Sequence, residues 1–558
     1  MVTTIKGINK GIAGFGIWVV AAITLSMFFW VPLVDAFNVS KFALLVVVSL
    51  ATIPYLVSNA HRTLKGNQLT YGAFFFFLMA LVINVFTATN PRLTLFGAPS
   101  RFAGALMYFS LLIICIVSFQ KFQESSFLIL VWGLFLLGLL ESGYGWLQVF
   151  EKDPITWNNP YGLIIGTVGN ADFAGALIGI CGVATLWLIL FGRLSVLIRV
   201  LLSLVVVSEV ILVSKANIRQ SLVIFLLGMV MFTLWKLRSS RPSLFLPGLF
   251  SGFLGFGLIA LGAFQIGPLT SVVYKLSVSM RGDYWRAAVR MFKDEPLTGI
   301  GLGSFGDLFP LYRDSIQVAR RGPNYSADAA HSVFLDYLSM GGILLLLPYL
   351  ILVALGFWKL FSNFSSRTEQ SRNIRVGLSA LWLAYLAQSA ISLDQIGLAI
   401  WGWVFMGCAM ALGKVEDNSK SMKLNRNLKV RLLTPIFAIL GTLIISPTWQ
   451  ADIYLKRAMI IGTSNTSPTA ASARLEFLKT ATSKDPKNPW YYQNAALLLL
   501  QSGQIEGIDY AKKALSLNPN DLLSAKLLAM STRQVGDIAS SDKYVALVNK
   551  LDPLANFR

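Results

Sequence analysis

Apolar runs of about 20 residues, separated by short polar segments, recur from near residue 11 to near residue 446. A run of that length crosses a hydrocarbon core roughly 30 Å thick as one helix. The pattern predicts spans at about 11–34, 41–58, 70–89, 102–119, 126–150, 173–191, 195–213, 220–235, 243–266, 332–358, 376–393, 397–413 and 432–446. The expected fold class is all-α, a polytopic membrane bundle of twelve or thirteen transmembrane helices. The first run, Gly11 to Val34, is too long for a signal-peptide core and reads as a retained span.

After Ser446 the pattern changes. Pro486, Pro519 and Pro553 are spaced 33 and 34 residues apart, and Gly503 and Gly536 are 33 apart. Amphipathic pairs such as "YYQNAALLLLQSG" and "EGIDYAKKALSLNP" lie between them. This period predicts tetratricopeptide-like helix pairs, a short α-solenoid over 447–558 following a membrane domain over 1–446. Such arrays offer a concave surface for a protein partner; the plainer reading is a cap packed on the membrane domain.

Charge sets the expected orientation. The chain is 55% hydrophobic and 13% charged, with a net charge of +20. In a soluble protein that excess would suggest nucleic acid, but here the cations alternate with apolar runs and report topology. Basic segments around Lys6 and Lys10, Arg62 and Lys65, Lys121, Arg193, Lys236 to Arg241, Lys359 to Arg375 and 414–431 are expected on the cytoplasmic side. Loops 90–101, 151–172, 214–219 and the long 267–331, with the C-terminus, are then extracytoplasmic. Cys115, Cys181 and Cys408 all fall inside predicted spans and imply no disulfide framework.

The long loop is patterned, as functional loops tend to be. "MRGDYWRAAVRMFKDEP" (280–296) predicts a helix with Met280, Tyr284, Ala287 or Ala288 and Met291 on one face and Arg286, Arg290 and Lys293 on another. That helix suits a lipid surface with anionic headgroups, or simply a solvated basic face. "GIGLGSFG" (299–306) matches G-x-G-x-x-G but follows no strand, so it predicts a tight turn and not a dinucleotide site. In "SADAAHSVFLDYLSMGGI" (326–343), His331 stands at the mouth of a predicted span. Asp328 is placed to cap the helix, and a helix N-terminus disfavours the imidazolium. A neutral imidazole suits a general base; the alternative is an interfacial histidine with one ordinary hydrogen bond. Leu335, Leu338 and Gly342 would anchor the helix in the bundle.

Arg92 and Arg101, Lys215 and Arg219, and Arg281 and Arg286 stand in the loops on the same side. Guanidinium forks suit phosphate, and several converging would hold a pyrophosphate without metal. Otherwise they are scattered loop cations. Glu141 and Glu209, inside spans, call for a partner or a cavity. No zinc spacing, Walker loop or Asp-x-Asp motif is present, and no Gly-x-Ser-x-Gly elbow supports a serine nucleophile.

"GDYWRAAVRMFKDEPLTGIGLGSF" followed by "AAHSVFLDYLSMGGI" resembles the O-antigen ligase/polymerase superfamily of bacterial membrane glycosyltransferases. His331, Ser332 and Gly342 fit its histidine pattern, although Leu345 departs from it. "NPRLTLFGAPSRFAGAL", "GTVGNADFAGALIGI" and "SKANIRQSL" look like further family segments, and the similarity spans most of 80–350. The resemblance implies a GT-C-like bundle in the bacterial cytoplasmic membrane. It also implies a cofactor-free, metal-independent transfer of glycan from an undecaprenyl-pyrophosphate carrier to a glycan, lipid or protein hydroxyl. By that resemblance His331 is the base and Arg219 and Arg281, with Arg101 third, bind the pyrophosphate; Arg286 is a further candidate from the loop cations alone. A protein oligosaccharyltransferase of the same superfamily, a transporter or flippase, and an anchored scaffold stand as alternatives.

Overall fold

The computed structural model describes residues 10–157, 164–263, 266–273, 280–415, 424–464 and 467–557. Lys6, Lys420, Lys423 and residues 274–279 of the long loop lie outside the described residues. The chain is an all-α polytopic membrane protein. Each expected span falls on a helix: α1 (Lys10–Met27), α2 (Asn38–Leu64), α3 (Gln68–Thr87), α5 (Ala105–Lys121), α6 (Phe127–Val149), α7 (Ala171–Phe191), α8 (Val196–Lys215), α9 (Arg219–Ser240), α10 (Pro242–Ala263), α15 (Val333–Phe361), α16 (Glu369–Ala390), α17 (Ile396–Ala411) and α18 (Leu424–Ile461). Among the described residues, nine helices are long and apolar enough to cross a membrane. The short helices α4 (Pro91–Phe96), α11 (Thr270–Val273), α12 (Arg281–Asp294), α13 (Phe305–Tyr312) and α14 (Ser315–Arg321) lie in the connections.

Burial orders the bundle. Every residue of α17 from Ile396 to Met410 is buried, whereas the apolar stretch of α10 is left uncovered for lipid. Several polar groups in the bundle interior pair, as a medium without water favours. Trp401 Nε1 donates to Ser26 Oγ at 2.8 Å, and Ser26 donates to Gly397 O at 2.7 Å. Glu141 accepts from Thr167 N and Oγ1, while Lys41 Nζ donates to Thr167 O and Phe28 O. These two buried side chains clamp the 166–168 turn, and Glu141 does not line the candidate site. Glu209 is buried against Gly138 and Cys181, and neither of its oxygens has a hydrogen-bond partner among the described residues.

One break in the helices shapes the site end of the bundle. At Gly342 α15 adopts φ 61°, ψ −168°, a region essentially reserved for glycine. The chain after α12 docks into this break. Ile300 N and Gly301 N donate to Ser339 O and Met340 O, and Ile343 N and Leu344 N donate to Pro296 O and Leu297 O. Asn84 locks the junction, giving its amide to Thr298 O and Met340 O and accepting from Leu302 N. The glycine turn expected from "GIGLGSFG" is this docked segment, and Gly299 (φ 65°) lies on the Met340–Gly342 backbone with no room for a Cβ. A Cβ at Gly342 would stand 2.2 Å from Leu297 O. Gly342→Ala is therefore expected to cost at least ~1–3 kcal/mol, read as a lower midpoint of thermal unfolding in detergent.

Two sequence expectations for this region change. Leu335 and Leu338 are only partly buried; the face turned to the bundle carries Val333, Asp336, Tyr337 and Met340. The helix α12 does bury Tyr284, Ala287, Ala288 and Met291, but against α15 and not against lipid. Its basic face is also engaged, since Arg290 donates to Tyr312 O and Arg286 pairs with Asp283 and Asp314.

The last apolar run continues without interruption to Ile461. It leads into α19 (Pro468–Lys484), α20 (Pro489–Gln501), α21 (Gly507–Leu517), α22 (Leu522–Gln534) and α23 (Ile538–Leu551). Ala451, Leu455 and Ala458 of α18 pack on Leu478, Ala481 and Tyr491, and Ala496, Ile508, Ala511 and Leu528 form a second core further along. Three polar links fasten these helices over the site end. Arg92 of α4 pairs with Asp485 at 2.6 Å, Asn518 Nδ2 donates to Asp307 of α13 at 2.8 Å, and Arg313 pairs with Asp552 at 2.7 Å with both side chains almost wholly buried.

Candidate active site

Between the membrane helices and the C-terminal helices lies a cavity of about 690 Å³. That is within the size range of small-molecule and cofactor sites. His331, Arg101, Arg281 and Asp328 line it, together with Arg92, Arg321, Tyr284 and Tyr325. Arg281 is 5% exposed and opens α12, where helical spacing puts it on the buried face with Tyr284 and Ala288. Arg101 reaches Asp328 across 227 residues of chain, Nε to Oδ2 at 2.7 Å. Arg321 lies over Tyr325 with its guanidinium carbon 4.2 Å from the ring centroid, and the Tyr284 and Tyr325 hydroxyls bond each other.

His331 precedes the N-cap Ser332 with φ 55°, a region few non-glycine residues adopt, histidine being among the types that do so more often. The surrounding contacts hold it there. Its ring packs 5.5 Å from that of Tyr284, Val333 N donates to Ser392 O, and Asp336 Oδ1 accepts from Ala330 N. Asp328 does not cap α15, contrary to the sequence expectation, because its carboxylate is taken by Arg101. Burial would raise the Asp328 carboxyl, but the charge and hydrogen bond of Arg101 hold it below the usual range.

Burial is the first cause of a low imidazole value at His331, followed by the Arg281 charge; Asp328 opposes and Arg101 and Arg321 add to the depression, bringing it to about 4. The helix terminus invoked from sequence is not the main agent. The ring is therefore neutral at pH 7. Because the folded value lies below the unfolded value near 6.5, the unfolded chain takes up this proton first. The group withdraws stability as pH falls from about 6.5 towards 4.

The other sequence-derived arginines separate. Arg219 opens α9 outside the cavity lining, beside Gln220, whose amide bonds the cavity-lining Asp172 through its carbonyl. Arg286 is outside it too, held by Asp283 and Asp314 on the opposite side of α12. Sequence reasoning passed over Arg321, and also Asp336 and Asp394, buried behind the site beside Tyr108 in a smaller cavity that Arg101 and Asp328 share. An acidic residue six positions before the glycine break at Gly342 was the available signal for Asp336. Among the described residues, no group of three or more His, Cys, Asp or Glu side chains is arranged to hold a metal ion.

No curated protein matches the chain. Residues 210–350, which carry α9, α12 with Arg281, the docked glycine turn, His331 and the break at Gly342, match the family model Wzy_C, O-Antigen ligase, in line with the resemblance that the sequence carries.

Proposed function

We propose that the cavity transfers a glycan from an undecaprenyl-pyrophosphate carrier to an acceptor hydroxyl at the extracytoplasmic face of the bacterial cytoplasmic membrane. The observation that carries this reading is the meeting of a neutral, half-buried histidine with three arginines, Arg101, Arg281 and Arg321, in one cavity. The basic loops converge at the other end of the bundle, where Lys414 bonds Gln120 O and buried Arg375 pairs with Glu124, which favours that end as cytoplasmic. The N-terminus is then cytoplasmic, and the long loop and the C-terminal helices are extracytoplasmic. A domain division near residue 447 into a GT-C-like membrane part and a tetratricopeptide-like array completes the assignment.

In this reaction the acceptor oxygen attacks the anomeric carbon opposite the pyrophosphate. The carbon–oxygen bond to phosphorus-bound oxygen breaks, and its electron pair leaves with the diphosphate. The single displacement inverts the anomeric centre. His331 accepts the hydroxyl proton, and the guanidiniums stabilise the charge that develops on the leaving group. Those fixed cations supply the role a metal ion would otherwise fill, so a chelator is expected to leave the rate unchanged. Arg219 lies outside the lining, next to Gln220, which bonds the cavity-lining Asp172; Arg286 braces α12.

An imidazole near 4 is a weak base, and the site contains its own remedy. A bound pyrophosphate neutralises the arginines that depress His331, so its value rises when donor is present. Titration of the His331 ring by NMR, with His61→Gln to identify the signal, is expected to show an upward shift on adding undecaprenyl pyrophosphate. An unmoved midpoint would separate the arginines from the pyrophosphate.

The overall test is reconstitution of the full chain in proteoliposomes with lipid-linked glycans extracted from its host. The expected products are a glycosylated hydroxyl compound and free undecaprenyl pyrophosphate. Movement of intact lipid-linked glycan across the bilayer without either product would establish a transporter instead.

A further inference from the structure

The two walls of the cavity differ in chemistry. The membrane side carries the arginines and His331. The C-terminal side presents Asn488, Trp490, Gln493, Asn518 and Asp521, and no lysine or arginine of the C-terminal helices lines the cavity. A wall without cations is unsuited to phosphate. Amides offer both donors and acceptors, a carboxylate accepts from hydroxyls, and an indole offers a broad apolar face to the C–H side of a sugar ring.

Some of these side chains are explained by folding alone. Asn488 caps α20 by accepting from Trp490 N, Asp521 caps α22 by accepting from Ser524 N, and Asn518 is tied to Asp307. Trp490 and Gln493 cap no helix: Trp490 is partly packed on the core around Tyr491, and Gln493 ties to Asp521. Trp490 is the second residue of α20, half-buried, edge-on to Tyr491 at 5.2 Å. Gln493, one turn further along, gives Nε2 to Asp521 Oδ1 at 2.6 Å, so the two side chains line the cavity as a bonded pair.

We propose that Trp490 and Gln493, with the Asp521 carboxylate, form a saccharide subsite, so that the C-terminal helices grip the sugar while the arginines hold the pyrophosphate. The proposal rests on reading the cavity as a glycan-transfer site. The sugar belongs either to the lipid-linked donor or to the acceptor.

The full chain in lipid nanodiscs is titrated by saturation-transfer-difference NMR with two oligosaccharide probes. One is released by mild acid from the host's polyprenyl-linked glycans, the other from its finished envelope glycan. Undecaprenyl pyrophosphate without sugar is titrated in parallel. Trp490→Ala is expected to weaken one oligosaccharide probe by roughly tenfold or more, with Trp490→Phe restoring most of the affinity. Gln493→Ala should weaken the same probe less, and undecaprenyl pyrophosphate should bind all three variants as it binds the wild type. The probe that loses affinity identifies the source of the sugar.

Unchanged affinity of Trp490→Ala and Gln493→Ala for both probes overturns the subsite. So does a wild type that binds undecaprenyl pyrophosphate but neither probe, which leaves the transfer reading standing. If Trp490→Ala loses undecaprenyl pyrophosphate too, Gln493→Ala decides, and intact oligosaccharide affinity there rejects the proposal. A wild type that binds oligosaccharide but no undecaprenyl pyrophosphate strikes the pyrophosphate reading on its own.

Discussion

His331→Ala should reduce glycan transfer by roughly 10²–10⁴-fold, the usual contribution of a positioned general base, with donor binding little changed. The imidazole lines the cavity, is buried enough to be neutral and is held beside Tyr284 by a backbone conformation that side chains seldom adopt. Loss of the ring removes the proton acceptor but no arginine. The measurement is single-turnover transfer in proteoliposomes loaded with lipid-linked glycan, alongside undecaprenyl pyrophosphate binding. His331→Gln keeps a hydrogen-bonding side chain without a titrating nitrogen, and it should be nearly as slow. Transfer at the wild-type rate by a folded His331→Ala protein would falsify the assignment of the base.

The second large effect is on stability. Arg313 and Asp552 are each about 1% exposed, and Arg313 also donates to Tyr325 O and Pro323 O. Removing one member of a buried pair leaves the other charge uncompensated, at a cost of about 3–5 kcal/mol. Asp552→Ala is expected to release the last helices from the long-loop segment between α13 and α14. Limited proteolysis should then cut within 520–557 in native protein, and the thermal midpoint should fall. The double variant Arg313→Met/Asp552→Leu replaces the pair by apolar groups of similar size and should recover most of the loss. Wild-type resistance to proteolysis in Asp552→Ala would show that the ion pair does not hold the C-terminal helices down.

These residues also show what a linear reading reaches. The spans were legible because an apolar run of about 20 residues has one low-energy conformation in lipid, a helix. The α12 helix and the glycine turn were legible because their signals are local. His331 and Arg281 were legible as candidates through their place in the chain, and Arg281 separates from Arg286 on a helical wheel, since only Arg281 shares a face with Tyr284 and Ala288. Asp328 was misassigned because local spacing made it a cap, whereas its partner Arg101 is 227 residues away. The roof of the cavity was illegible for the same reason. Trp490 and Asp521 have ordinary places in a helical repeat, and only the fastening of Asp485, Asn518 and Asp552 to the membrane side brings them over the histidine.

A chamber of about 690 Å³ admits a few sugar rings and no polymer. If glycans are joined there, most of a long chain must trail outside while its terminal unit reacts. The protein would then be blind to how many units its substrate already contains, and any control of polysaccharide length would have to come from competition for chain ends or from a separate ruler.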